Sequence, residues 1–217
     1  MGFMAIIAMP QEKMYDRIVT DYDRNVKSEI LDHKYIERFL FYLKKGSKLL
    51  DAGAGTGKIA FEMHALHGLR VIGIDISKEM VRFAAKKYPK VKFKEMDLRD
   101  LRFKTGEFDA IFANYSLIHI LEDDILRTLE GFNRILKDGG YIYISLQSPK
   151  KKWQRDGYYP IPYKRSSYLF INLVKKSEIV DYLEKAHFQV LEVYKRAPDV
   201  KTEFPFNKLF VIAKKRR

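Results

Sequence analysis

The sequence predicts an α/β fold built on a mainly parallel sheet, and three observations predict it. From about Leu49 onward, short apolar runs alternate with helical patterns, as strands buried on both faces and their crossover helices do. The first of these runs ends in a glycine-rich turn, Gly53-Ala54-Gly55-Thr56-Gly57, that opens a helix. Ligands of open parallel sheets bind at that edge. The chain has 217 residues, 47% hydrophobic and 14% aromatic, enough to build and bury a core. That excludes disordered, collagen-like and disulfide-scaffold classes.

The elements follow in order. Lys48–Ala52 reads as the first strand and Lys58–Leu66 as the helix after it, with Thr56 as its N-cap. Arg70–Asp75 is a second strand, and Ser77 caps a helix that runs to about Lys87. Tyr88-Pro89 stops that helix, because proline disfavours helical geometry in the residue before it. Val91–Met96 and Phe108–Asn114 are the third and fourth strands. Glu122-Asp123-Asp124 place negative charge in the first turn of a helix ending near Lys137, where a cation suits the dipole. Asp138-Gly139-Gly140 turns the chain into a fifth strand, Tyr141–Leu146.

The flanks read less clearly. Ahead of the sheet, Lys27–Lys45 carries apolar residues at Ile30, Leu31, Tyr35, Ile36, Phe39, Leu40 and Leu43, the spacing of an amphipathic helix. Residues 148–174 are rich in Lys, Arg, Tyr and Pro and show no clean period. A helix from about Ser177 to Ala186 follows, then strand-like runs at Phe188–Tyr194 and Leu209–Ala213.

The formal charge of +13 is not evenly spread. Residues 148–217 carry 17 basic against 7 acidic side chains, whereas residues 49–147 carry 15 against 14. The absence of cysteine excludes disulfides, thiolate metal sites and cysteine nucleophiles, and suggests a cytoplasmic location. No apolar run approaches 18 residues, so no membrane span is expected. The apolar start, Met1–Pro10, lacks the basic region of a signal peptide, and Ile6 breaks the myristoylation pattern.

The glycine turn carries the strongest chemical signal. A Walker-type phosphate loop needs a hydroxyl after Gly-Lys, but Gly57-Lys58 is followed by Ile59. A dinucleotide fingerprint needs glycine at position 58, which is Lys. Asp51 at the strand's end would repel a pyrophosphate and would suit a ligand carrying an amine or a sulfonium.

The run Asp51-Ala52-Gly53-Ala54-Gly55-Thr56-Gly57 resembles the first motif of the class I S-adenosylmethionine-dependent methyltransferases. Gly73-Ile74-Asp75-Ile76-Ser77 is similar to the second, Met96-Asp97-Leu98 to the third, and Phe108–Asn114 to the fourth strand. Leu136-Lys137-Asp138-Gly139-Gly140 matches the turn before strand five. The resemblance implies S-adenosylmethionine as cofactor, with Asp51, Gly53, Ala54, Gly55 and Gly57 around it. It implies that Asp75 holds the ribose hydroxyls and that Ile76 and Met80 flank the adenine. Asp97 would then accept from the adenine amino group, the backbone of Leu98 would meet a ring nitrogen, and Asn114 would lie beneath the methionine part. Tyr22, with Tyr15, would close over the cofactor's carboxylate end or simply pack. The resemblance also implies a Rossmann-like three-layer sandwich: a seven-stranded sheet, helices on both faces, and the last strand antiparallel. One domain is expected, with a helical cap over 1–47, a cofactor core over 48–147 and an acceptor or lid segment over 148–217.

Methyl transfer from a sulfonium is an in-line displacement in which alignment and exclusion of water supply most of the rate. His119, just beyond the fourth strand, is the candidate general base or acceptor-orienting group; the alternative reading is a structural histidine bonding a backbone carbonyl. No pair among His33, His64, His67, His119 and His187 has metal-ligand spacing, so no metal is expected. Asn114-Tyr115-Ser116-Leu117 lacks the prolines typical of enzymes that methylate exocyclic amino groups of bases, and there is no cysteine for C5-pyrimidine chemistry. A small-molecule acceptor remains by elimination. Residues 150–168 interleave aromatics with cations. They could wall a pocket for an anionic acceptor, stack and neutralise RNA, or form a solvated loop. The expected function is therefore methyl transfer to a small, possibly anionic acceptor. The alternatives are an RNA or protein methyltransferase docking through its basic third, and a non-catalytic binding module.

Overall fold

The computed structural model describes residues 10–25, 28–199 and 201–216. A helix α1 (Gln11–Asn25) is followed by two short helices, α2 (Ser28–Leu31) and α3 (His33–Leu40). The core then alternates β1 (Lys48–Ala52), α4 (Lys58–His67), β2 (Arg70–Asp75), α5 (Lys78–Lys87), β3 (Lys92–Glu95) and β4 (Phe108–Asn114). A 3₁₀ turn (Leu117–His119), α6 (Glu122–Ile135) and β5 (Leu136–Ser148) complete it. Beyond come a hairpin, β6 (Gly157–Ile161) and β7 (Lys164–Ile171), then α7 (Lys176–Lys185), β8 (Phe188–Arg196) and β9 (Asn207–Lys215).

Seven strands form one sheet in the order β3-β2-β1-β4-β5-β9-β8. The first five are parallel, and β9 inserts antiparallel between β5 and β8. Alternation along each strand divides two cores. Leu49, Ala110, Phe112, Tyr143, Phe210 and Ile212 face α3 and α4. Leu50, Ile111, Ile142, Ile144 and Val211 face α6 and α7. This is the three-layer sandwich expected, with β9 the antiparallel strand. Because β1 and β4 are central and the order reverses beside β1, their carboxyl ends open a crevice, which is where the glycine turn lies.

Several boundaries differ from the sequence reading, for physical reasons. The helix expected over Lys27–Lys45 is two helices separated by Asp32, with Lys27 outside the described residues. The fully buried Asp32 carboxylate accepts from Arg196 Nε at 2.7 Å and from the Tyr115 hydroxyl at 2.8 Å, which fixes the break. The residue capping α4 is Gly57 at φ +81°, with no side-chain cap, so Thr56 does not serve. Ser77 does cap α5, accepting from Met80 N at 3.1 Å. The strand expected from Tyr141 begins at Leu136, which pairs with Phe108 before the Lys137–Gly140 turn bulges out of register. Residues expected to be irregular form the β6–β7 hairpin, pinned by buried Ile161, Leu169 and Ile171.

Candidate functional site

At the carboxyl edge of the sheet lies a cavity of about 500 Å³, within the range of small-ligand pockets. Gly53, Gly55, Asp75, Ile76, Met80, Asp97, Leu98 and Asn114 line it from the sheet, and Tyr15 and Tyr22 close it from α1. Glycine is required where the chain passes nearest. A Cβ at Gly53 (φ +92°) would stand 2.4 Å from Ser116 Cβ, and one at Gly55 would meet the Tyr22 ring at 3.4 Å. Helix α1 is laid over this mouth by Asp16. Its carboxylate accepts from Ser77 Oγ at 2.7 Å and Glu79 N at 3.1 Å, at the start of α5.

Two carboxyl groups lie here, Asp51 buried and Asp75 half-buried. Asp75 accepts from Gly55 N at 2.8 Å and Ser77 N at 2.9 Å, which ties the glycine turn to the end of β2. Burial nevertheless pushes its pKa up, against those backbone bonds. Asp51 faces a smaller recess of about 40 Å³ beside Gly53, Ala54, Tyr22 and Asn114. Burial, with the charge of Asp75 adding to it, pushes Asp51 up to about 8. Both groups gain from an ammonium, a sulfonium or hydroxyl donors set against them.

Beyond the crevice, the Tyr15 hydroxyl lies 2.6 Å from His119 Nε2, and His119 Nδ1 lies 2.8 Å from the carbonyl of Phe170. A carbonyl can only accept, so Nδ1 carries the proton and Tyr15 donates its hydroxyl hydrogen to Nε2. Burial holds the imidazole down to about 4, hence neutral over the physiological range. It holds the Tyr15 phenol well above its ordinary value. The Tyr15 oxygen is thereby left with lone pairs and no available hydrogen.

A second cavity, of about 350 Å³, lies on the other side of this pair; Tyr15, Tyr22, Tyr115 and His119 line both. The hairpin supplies Ile161, Pro162, Tyr163 and Leu169, and Lys208 and Gln147 come from β9 and β5. Lys208, 1% exposed, donates to Gln147 Oε1 at 2.7 Å and to the carbonyl of Phe204 at 3.2 Å. Burial pushes its pKa down to about 8, with Glu203 opposing. The carboxylates nearby are already engaged. Glu203 binds Arg196 through two contacts of 2.7 Å, and Asp199 accepts from Lys201 N and Thr202 Oγ1.

The structure brings together ten of the thirteen site residues read from the sequence: Gly53, Gly55, Asp75, Ile76, Met80, Asp97, Leu98, Asn114, Tyr22 and His119 all line the large cavity. Asp51 and Ala54 line the small recess. Gly57 corrects the reading. It lines none of the three cavities, and a Cβ there would meet Phe93 at 2.6 Å and Ala84 at 2.8 Å, so its role is close packing of turn on sheet. Asp97 is engaged by Arg99, whose backbone N, Nε and Nη2 all donate to it; burial would raise its pKa, but Arg99 outweighs that and holds it low. Tyr15, named as a possible lid residue, is the hydrogen-bond partner of His119. Lys208 and Gln147 went unread, since no local pattern marks a strand lysine as buried, whereas Tyr163 belongs to the aromatic segment read as a possible pocket wall. Among the described residues no three His, Asp or Glu side chains gather as a metal site requires.

Residues 49–140 match the family model described as a methyltransferase domain. The chain is 35% identical over 97 residues to a demethylmenaquinone methyltransferase of Chlorobaculum parvum, covering 45% of this chain and 39% of that protein. It is 32% identical over 161 residues to phosphoethanolamine N-methyltransferase 1 of Zea mays, covering 69% of this chain and 31% of the relative. The chain thus spans well under half the length of these relatives. Among solved structures, phosphoethanolamine N-methyltransferase 2 of Haemonchus contortus, crystallised with phosphomonomethylethanolamine and S-adenosylhomocysteine, superposes with a TM-score of 0.76 at 19% identity. That superposition covers 97% of this chain and 61% of the Haemonchus chain. Motifs, sheet order and these likenesses agree: the chain carries a class I S-adenosylmethionine-dependent methyltransferase domain.

Proposed function

We propose that this chain transfers a methyl group to a small, anionic acceptor, with the cofactor in the large cavity, the acceptor in the second and the reaction at the wall they share. The observation that carries this reading is the Tyr15–His119 pair at that wall, 2.6 Å apart and lining both cavities. The residues of the large cavity and of the small recess beside it fit S-adenosylmethionine: a glycine cradle that side chains would fill, and the carboxyl groups of Asp75 and Asp51, whose raised pKa values a diol or a cation would relieve. When bound, that cofactor supplies an electrophilic methyl on a sulfonium.

On this reading Asp75 accepts both ribose hydroxyls, Ile76 and Met80 flank the adenine, the Leu98 backbone meets the adenine edge, and Asp51 with Asn114 holds the methionine end. Asp97 would have to share Arg99 to reach the adenine amino group. Tyr15 is the orienting group. With its hydrogen held by neutral His119, its oxygen accepts from an N–H or O–H of the acceptor and turns the nucleophile's lone pair toward the first cavity. Alignment of this kind is where an in-line displacement gains its rate. Lys208 anchors the acceptor's negative charge, since two of its three N–H donors are engaged by neutral oxygens. The basic aromatic segment enters as cavity wall: Tyr163 and Ile161 line the acceptor space, and the hairpin's apolar face is core. Two of the relatives are named for phosphoethanolamine, an acceptor of the size and charge this space suits. A cytoplasmic location belongs to the same proposal.

The test is radiolabel transfer from S-adenosylmethionine into a metabolite extract and, separately, into tRNA. Label should enter an anionic small molecule. Label entering tRNA, with affinity rising steeply at low salt, would replace this reading with RNA docking through residues 150–168. Cofactor binding without transfer to any pool would leave a binding module.

A further inference from the structure

We propose that Asn172 is a positioning residue that holds His119 in its Nδ1–H tautomer, so that the hairpin, and not the sheet, orients the Tyr15–His119 pair. The inference rests on the reading of that pair as the point of reaction. His119 closes a 3₁₀ turn of three residues whose own bonds, His119 N to Ser116 O at 3.3 Å and Ile120 N to Leu117 O at 3.1 Å, are long. Such a turn does not fix a side chain by itself. The segment that leaves β7 does so from outside. Asn172, 3% exposed, donates its backbone N–H to the Ile118 carbonyl at 2.7 Å and its side-chain Nδ2 to the Ile120 carbonyl at 2.9 Å. These two bonds grip the backbone on either side of His119.

Two residues earlier in the same segment, the Phe170 carbonyl accepts His119 Nδ1–H at 2.8 Å. The grip therefore sets the distance from imidazole to carbonyl. The same carbonyl receives Gln11 Nε2 at 3.2 Å, which joins α1, the carrier of Tyr15, to the assembly. Three segments far apart in sequence thus meet at one carbonyl, and the proton on Nδ1 is what leaves Nε2 free to receive Tyr15. If the turn drifts from β7, Nδ1 loses its acceptor, the Nε2–H tautomer gains population, and Nε2 donates where it had accepted. Asn172 touches neither cavity and acts only through His119.

The test is the imidazole ¹⁵N–¹H correlation spectrum of the full chain labelled at histidine, with His119 assigned by its loss in His119→Gln. The unsubstituted protein should show His119 as Nδ1–H. In Asn172→Ala, the ratio of Nδ1–H to Nε2–H should fall about fivefold, the effect of one net hydrogen bond. Asn172→Asp keeps the volume but turns an acceptor toward the Ile120 carbonyl, and should shift the ratio further. Tyr15→Phe should leave the Nδ1–H form in place, because the Phe170 carbonyl still accepts. An unchanged His119 pattern in Asn172→Ala that still binds S-adenosylmethionine overturns the proposal. Should both Asn172 variants unfold, hydrogen exchange in the unsubstituted protein decides. His119 Nδ1–H and the Asn172 carboxamide should exchange at one rate; a His119 rate tenfold faster contradicts the grip. Loss of transfer in Tyr15→Phe tests the reaction site separately, so failure of one does not imply failure of the other.

Discussion

The two cavities are built in opposite ways. The larger is made by a single stretch, residues 53–116, whose strand ends arrive at one sheet edge because the parallel order puts them there. Only Pro10 and α1, His119 with the two residues after it, and Tyr158 and Phe170 at the open end of the hairpin are added from elsewhere. The smaller is assembled from α1, α2, residues 115–119 after β4, Gln147 of β5, the hairpin and residues 199–208. Its polar groups come from α1 (Tyr15, Tyr22, Arg24, Asn25), from Tyr115 and His119, from Gln147, from Tyr163 and from residues 199–208. A site on one contiguous unit has a chemistry set by the fold itself. A site gathered from six segments, most of them outside the parallel strands, can be changed by altering one of them while the parallel sheet stays as it is. That is a physical route to one cofactor with many acceptors.

Breaking the large cavity should therefore have the larger effect. Asp75→Ala removes a carboxylate that also ties Gly55 N and Ser77 N to β2. Calorimetric affinity for S-adenosylmethionine should fall by about 100-fold or more, the scale of two charged hydrogen bonds. Lys208→Met keeps length and removes charge in the second cavity. Acceptor KM should rise by about 10- to 100-fold with cofactor affinity unchanged, which would separate the two sites in one protein. Because burial holds Lys208 at about 8, the native KM should also climb as pH passes that value and the ammonium deprotonates.

Stability effects come next. Asp51 keeps its proton up to about 8 in the folded chain, while the unfolded chain releases it in the ordinary carboxylate range. Native stability without ligand therefore falls as pH rises through that window, and Asp51→Asn should be the more stable protein by about 5 kcal/mol at pH 8, with the gap closing toward pH 4. Thermal melts at both pH values check this, and loss of cofactor binding in the same variant would mark the strain as functional. His119 runs the other way. Its folded pKa of about 4 lies below the ordinary histidine value, so the unfolded chain binds the extra proton first and acid destabilises. Between pH 7 and 5 native stability should lose about 2 kcal/mol relative to His119→Gln, read as the difference between their denaturation curves.

The same contrast explains what could be read from the sequence. Asp51, Gly53, Gly55, Asp75 and Asn114 lie at strand ends in one local pattern, and four strands began and ended near where the alternation put them. Gly57 fooled the motif reading because a glycine needed for a left-handed turn against Phe93 looks the same in sequence as one needed for a ligand. The hairpin escaped because aromatic and basic residues blur its period of two, and its partner contacts lie more than 30 residues away in places. Asp32 broke a well-patterned helix for Arg196, 164 residues on. Lys208 was counted among the cations of a basic third, yet it is one of the most buried side chains in the protein. Long-range burial is a property of the assembled sheet, and no local window contains it.

The account turns on the claim that the two cavities meet in function at Tyr15. The most direct measurement sets Tyr15→Phe beside the unsubstituted protein, with S-adenosylmethionine affinity read by calorimetry and methyl transfer by radiolabel in the same preparations. Transfer should fall by about 100-fold, on the scale of losing one positioned proton-handling group, while affinity changes by less than about twofold. Transfer that persists at the native rate would contradict the account, as would affinity and transfer that fall together.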